Sequence, residues 1–185
     1  MQPFSDEQLI WQIRSGSKTA FAKLYDRHKS KIFSYCCKLL HDEESAQDVL
    51  QETFMKALEA IETLEQPHLF RPWLYRIARN ESYQLLRRGR NVNGGLSDEV
   101  WETLSDESTP LDRILDQERT NVVQYLLGLL KAEYREVLIL REYEQLSYGE
   151  IAEITGDTES SVKSRLFKAR KALAKKLEAV FKERI

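Results

Sequence analysis

The chain reads as an all-α protein of two small helical domains joined by a flexible linker, the second containing a helix-turn-helix. Three observations lead there. Apolar residues recur at three- and four-residue steps over almost the whole length, capping-box spacings open helices near both ends, and no segment alternates apolar with polar residues as a half-buried strand would. A chain of 185 residues holds one or two modest cores. The expected division is 1–90 for the first domain, 91–110 for the linker and 111–185 for the second.

Taken in order, Ser5 and Gln8 have capping-box spacing and open a short helix through Leu9, Ile10 and Ile13, which Gly16 ends. A longer helix follows from about Ser17, with Phe21, Leu24, Tyr25, His28, Ile32, Tyr35 and Leu39 on one stripe. His28 is expected to pack there through a hydrogen bond, since no second metal-ligating residue has matching spacing. The next helix, about 43–64, is expected to bury Ala46, Val49, Leu50, Phe54, Ala57, Leu58 and Ile61 and to show Asp48, Gln51, Glu52, Met55 and Glu59 outside. Glu43 and Glu44 suit the helix dipole on structural grounds alone, but Gln51 and Glu52 lie too far in for that explanation.

A loop around Pro67 leads to a helix in which Pro72 fits the first turn and which runs to about Arg88. Leu74, Ile77, Ala78 and Leu85 form its inner stripe, while Arg76, Arg79, Asn80, Tyr83 and Arg87 are expected to project outward. Arginine interleaved with an aromatic and an amide is a combination that binds single-stranded nucleic acid through charge, stacking and a base edge. A solvated cationic face is the alternative. From Gly89 to Pro110 asparagine, glycine, serine and acids replace the stripe, as in a linker, with Trp101 and Leu104 as local docking points. Helical periodicity resumes over 111–130 and 134–143.

Residues 146–173, LSYGEIAEITGDTESSVKSRLFKARKAL, carry the clearest functional signal. Ser147 and Glu150 form a capping box, Gly156 supplies a positive-φ stop, and Asp157 or Thr158 caps a second helix to about Val180. Two helices at a tight glycine turn, the second long and basic, have the form of a helix-turn-helix. Val162, Leu166, Ala169, Leu173, Leu177 and Val180 are expected to face inward. Ser160, Lys163, Ser164, Phe167, Lys168 and Lys171 take the opposite side, with groups that neutralise phosphate, donate to base edges or touch a thymine methyl. A solvated lysine-rich face would also carry this charge, but it would not explain Phe167.

The net charge of −2 conceals alternating blocks. Residues 42–65 carry eight acids against Lys56, and residues 71–90 six arginines against Glu81, so separate surfaces for separate partners are expected. No apolar run approaches the roughly 18 residues that cross a bilayer, and MQPFSDEQ lacks the regions of a signal peptide, so a cytoplasmic location without membrane insertion is expected. Cys36 and Cys37, adjacent on a helix, are read as reduced packing residues. No nucleophile-and-base pair, phosphate loop or metal-ligand spacing occurs, and neither catalysis, cofactor nor metal is expected.

Together, SAQDVLQETF at 45–54, RPWLYRIARN at 71–80 and REVLILREYEQLSYGEIAEITG at 135–156 running into SSVKSRLFKARKAL resemble a bacterial RNA polymerase sigma factor of the extracytoplasmic-function group of the sigma-70 family. The resemblance covers nearly the whole chain, and the order and separation of the motifs make it specific. It implies a first domain that binds core polymerase and melts the minus-ten element, a second that reads the minus-thirty-five element, contacts to the polymerase clamp helices and flap, and control by an anti-sigma factor. It also assigns residues. Asp48, Gln51 and Glu52 match the polymerase-binding motif, which gives Gln51 and Glu52 their reason. Gln66 and His68 in the loop, with Arg76, Arg79, Asn80, Tyr83, Gln84, Arg87 and Arg88 on the following helix, match the minus-ten surface, with a flipped base held near Asn80. Ser160, Ser161, Lys163, Ser164, Arg165, Phe167, Lys168 and Lys171 match the minus-thirty-five surface. Gln47 departs from the usual glutamate and Leu130-Lys131 from the usual Leu-Pro; the second alters only how a helix begins. The rival readings are a stand-alone helix-turn-helix regulator, whose first half would need a sensing pocket, and an interaction module, which would leave the recognition helix unexplained.

Overall fold

The computed structural model describes residues 4–92 and 119–182, and among the described residues eight α-helices form and no strand occurs. Helix α1 (Asp6–Arg14) opens on the Ser5/Gln8 capping box, and Gly16 turns the chain at φ +88°. Ser17 caps α2 (Lys18–Leu40), which ends on His41 in the left-handed region at φ 56°. Asp42 caps α3 (Glu43–Ala60) through the Ser45 amide at 2.8 Å. The expected helix to residue 64 is shorter than its periodicity suggested, because the last turn tightens into a 3-10 turn at Ile61–Thr63. A second 3-10 turn, Pro67–Leu69, leads into α4 (Phe70–Val92). This helix begins two residues before Pro72 and overruns the expected linker start at Gly89. The remainder of the expected linker, Trp101 and Leu104, and residues 111–118 lie outside the described residues.

The second unit contains α5 (Arg119–Gly128), α6 (Ala132–Leu138) continuing as a π turn at Ile139–Tyr143, α7 (Tyr148–Thr155) and α8 (Glu159–Lys182). Lys131, at the departure from Leu-Pro, stands at the N-cap of α6 and makes no side-chain cap. The π turn hands the Glu144 amide to the Ile139 carbonyl at 3.1 Å, and a turn of this kind reorients the residues that follow it. Ser147 and Glu150 close the second capping box, and Gly156 ends α7 at φ +72°. Thr158, of the two candidates, caps α8 by accepting from the Ser161 amide at 3.2 Å.

The first unit packs α2, α3 and α4 around Leu24, Ile32, Leu39, Phe54, Leu74 and Tyr75. Tyr25 meets Phe54 edge-on at 4.7 Å between centroids, an arrangement aromatic quadrupoles favour. His28 is buried and pairs with Asp6 at 2.8 Å, as a packing histidine should. Burial alone would raise the Asp6 pKa, but His28 and Arg27 outweigh it and hold the carboxyl below its usual range. Two stripe residues differ from expectation. Leu58 is exposed at one edge of the α3 stripe, while Thr53 is buried at the other edge. Leu177 is also exposed, because α8 runs past the end of the core beyond Leu173, which is partly buried against it; the side chain of Val180 lies outside the described residues.

The two units pack on each other, and the apolar core is continuous through both. Arg135 pins the junction. Its buried guanidinium donates to the carbonyls of Leu39 (2.6 Å), Leu127 (3.0 Å), Gly128 (3.0 Å) and Leu130 (3.1 Å), filling acceptors that helix ends leave open. Burial depresses its pKa to about 10. Cys36 is buried with a free thiol that burial pushes up to about 12, so it is chemically quiet, and Cys37 is free and half-buried.

Candidate nucleic-acid and polymerase interfaces

The α3 surface is built by a 3.6-residue period that sends Val49, Leu50 and Phe54 inward and leaves Asp48 and Gln51 exposed, with Glu52 half-exposed beside them. Lys56, the acidic block's lone cation, lies 2.8 Å from Glu81 on α4 and 3.3 Å from Glu52, and Glu81 chiefly raises its pKa. Its charge is thereby spent on neighbours, and Asp48 and Gln51 face solvent with no ion pair among the described residues. Met55 and Leu58 are exposed on the same helix, giving this face an apolar component that the charge pattern alone does not show.

On the arginine-rich side, Gln66, His68, Arg76, Asn80, Arg87 and Arg88 are exposed, and Gln84 is half-buried. A cleft of about 290 Å³ opens between the loop and α4, lined by Leu64, Gln66, Leu69, Trp73 and Arg76, with Glu153 of α7 on its far wall. Asn80 lies one turn beyond Arg76 and is not among its walls. Arg14 fixes the loop by donating to the carbonyls of Ile61, at 3.0 Å, and Leu64.

Arg79 and Tyr83 do not project freely outward as their place on the helix suggested. Both are half-buried against Glu136 of α6: Tyr83 Oη donates to Oε2 at 2.9 Å, and Arg79 Nε lies 2.8 Å from Oε1 as an ion pair at an angle unsuited to a hydrogen bond. The reason is tertiary, since the partner lies 53 residues beyond Tyr83 in the sequence. Burial raises the pKa of Glu136, opposed first by the Arg79 charge and then by its tyrosine donors. The Arg79 guanidinium also stacks over the Tyr83 ring at 4.7 Å.

On α8 the expected face is present. Ser160, Ser161, Lys163, Ser164, Phe167, Lys168 and Lys171 are exposed, Phe167 to 71%, while Val162, Leu166 and Ala169 are buried behind them. Lys163 is 3.8 Å from Glu159 and 5.4 Å from the Tyr148 ring centroid, both exposed and weak contacts. Arg165 departs from the rest. It is half-buried and held by Asp157 at 2.6 Å, an interaction that raises the Arg165 pKa and lowers that of Asp157. Its geometry braces the turn between α7 and α8.

No group of three or more His, Cys, Asp or Glu that could hold a metal occurs among the described residues, and no described helix is long and apolar enough to cross a membrane.

Comparisons with known proteins fall on these same two units. The family model for Sigma-70 region 2 matches residues 24–92, and that for Sigma-70 region 4 matches residues 120–173. The RNA polymerase sigma-H factor of Pseudomonas aeruginosa is 34% identical over 186 residues, covering 96% of this chain and 96% of its own length. The ECF RNA polymerase sigma factor SigW of Bacillus subtilis is 32% identical over 177 residues, covering 91% and 94%. Among solved structures, CnrH in complex with the cytosolic domain of CnrY aligns with a TM-score of 0.71 at 27% identity, over 94% of this chain and 97% of that one. The sigma factor RpoE of Bartonella quintana, in complex with the anti-sigma factor NepR, aligns at 0.67 and 27%, over 85% and 96%.

Proposed function

Given that the chain belongs to the extracytoplasmic-function group of the sigma-70 family, we propose that it is a transcription initiation factor that binds core RNA polymerase and directs it to specific promoters under control of an anti-sigma factor. It is not an enzyme; the polymerase supplies the chemistry. In this reading residues 1–90 form the polymerase-binding and minus-ten domain, 91–110 the linker and 111–185 the minus-thirty-five domain. The clamp helices dock on α3 through Asp48, Gln51 and Glu52, and the flap receives the second domain. The observation that carries the proposal is that one chain presents an acidic face with exposed Met55 and a cationic face with exposed Phe167, on separate units.

The division of labour follows from the chemistry of each face. The recognition helix α8 enters the duplex major groove, where Lys163 and Lys168 neutralise phosphate and Ser160, Ser164 and Phe167 meet base edges. That fixes register. Gln66, His68, Arg76, Asn80, Gln84, Arg87 and Arg88, with Arg79 and Tyr83, then hold the strand exposed on opening, offsetting an unpairing cost on the order of a few kcal/mol per flipped base. Attachment to polymerase keeps both domains near one promoter, so the second contact forms at high effective concentration. The proposal is tested by replacing Asp48 and Gln51 together with alanine and measuring retention of core polymerase on the immobilised chain. Retention should fall while the helical content stays the same. Full retention would contradict the α3 assignment.

A further inference from the structure

Two of the α4 residues assigned to the minus-ten strand, Arg79 and Tyr83, are already occupied in this structure by a carboxylate of the second unit, and a second glutamate holds their neighbours Arg71 and Tyr75. Glu136, fully buried, receives Tyr35 Oη at 3.1 Å and Tyr83 Oη at 2.9 Å and pairs with Arg79 at 2.8 Å. Eight residues further on, Glu144 accepts from Tyr75 Oη through its carboxylate and from Arg71 through its carbonyl at 2.6 Å. Glu153 stands across the cleft whose other wall includes Arg76. Three glutamates thus line up along Arg71, Arg76 and Arg79. The donor set around Glu136, two phenols and a guanidinium, is one that a phosphate oxygen would also satisfy, and the Tyr83 ring offers a stacking face.

We propose that the second unit closes the free chain on itself by mimicking a nucleic-acid strand, its glutamates competing with single-stranded promoter DNA for the arginine and aromatic face of α4. This rests on the reading of α4 as the strand-binding surface. The competition has a physical consequence on both sides. A strand approaching the exposed Arg76 and Asn80 meets Glu153 and gains Arg79 and Tyr83 only when Glu136 withdraws. Apparent affinity is then reduced by the fraction of chain that is open, and by linkage a bound strand favours opening by the same factor. The π turn at Ile139–Tyr143 joins the segment that places Glu136 on Tyr83 to the one that places Glu144 on Tyr75, so both contacts lie on one continuous element.

The test uses the full chain without polymerase. Tyr35→Phe with Tyr75→Phe removes one donor from each glutamate, keeps both buried rings, and alters no residue assigned to DNA. Small-angle scattering reports compactness, and anisotropy with a short fluorescein-labelled single strand reports affinity. The double variant should have a larger radius of gyration than wild type and bind the strand about tenfold more tightly. Glu136→Gln should behave in the same way, and saturating strand should expand the wild-type chain. If the double variant loses its helical circular dichroism, Glu136→Gln and the wild-type titration decide. An unchanged radius in Glu136→Gln and in strand-saturated wild type overturns the closure, and expansion without tighter binding overturns the competition. The reading of α4 is judged separately, by promoter opening in holoenzyme carrying Arg76→Ala: normal opening there rejects that assignment and leaves the scattering result standing.

Discussion

Replacing Lys163 and Lys168 with alanine isolates the electrostatic part of upstream recognition. Both lysines are exposed, and the one ion pair either makes among the described residues, Lys163 with Glu159 at 3.8 Å, is long and solvent-screened. Their ammonium groups are therefore available to phosphate. Each phosphate contact on duplex DNA contributes about 0.9 to the slope of log K against log salt, so the pair contributes about 1.8. Between 50 and 200 mM salt that is a difference of about 12-fold in how much affinity is lost. The assay is closed-complex formation by holoenzyme on a labelled promoter duplex, titrated at several salt concentrations. The double variant should bind more weakly at low salt and show a slope shallower by about 1.8. Phe167→Ala serves as the control: it should weaken binding and leave the slope unchanged, because it removes an apolar contact without releasing counterions. Parallel slopes for wild type and the lysine variant would refute the phosphate role and return this face to a solvated one.

Other expectations follow from particular contacts. Arg135→Ala strips four carbonyls of a buried donor, which should cost at least about 3 kcal/mol, or roughly 6–12 °C in Tm by calorimetry. Arg135→Lys, a point charge without the guanidinium fork, should recover only part of that; a Tm within a degree or so of wild type for the alanine variant would show that the junction does not depend on it. His41, whose ring lies against Gly128, has its pKa lowered to about 4, first by burial and then by the Arg135 charge. A depressed folded pKa means the unfolded chain takes up the proton first, so its contribution to stability is present above about 6.5 and lost as pH falls through about 4. The residue keeps part of its surface in water, which reduces the size of the effect. Melting temperature should therefore climb between pH 4 and 6.5 more steeply in wild type than in His41→Asn, and identical profiles would remove His41 as a cause. Asn80→Ala should impair promoter opening more than closed-complex binding. Permanganate footprinting with normal strand reactivity would reject that role.

Local chemistry was legible wherever one helix carries its own signal. Ser5 with Gln8, Ser147 with Glu150, and Gly156 announce helix ends by spacing and residue type, and the structure has each of them in that place. The outward face of α8 was legible for the same reason, since Lys163, Phe167 and Lys168 lie opposite a buried stripe on one helix. What a distant segment brings was not. Arg79 and Tyr83 look free on a helical wheel, and nothing in the stretch around them signals Glu136; the π turn that aims Glu144 is likewise silent in the sequence. Arg165 joins the DNA-facing set only through the family resemblance, since the helical period that selects Lys163, Phe167 and Lys168 omits it, and in the structure Asp157 holds it at the turn. Leu58 and Leu177 carry apolar side chains at core spacing, but periodicity does not record where the neighbouring helices stop. Arg135 belongs to a recognisable motif, and only the folded arrangement reveals that its four acceptors come from two units.

Run-off transcription from randomised promoter templates by sigma-free core polymerase, with and without the purified chain, measures the central claim most directly. Transcripts should appear only with the chain, start at one position downstream of a shared pair of sequence elements, and disappear when Asp48 and Gln51 are both alanine. A chain that binds duplex sites tightly by itself while the polymerase stays silent on every template would contradict the account.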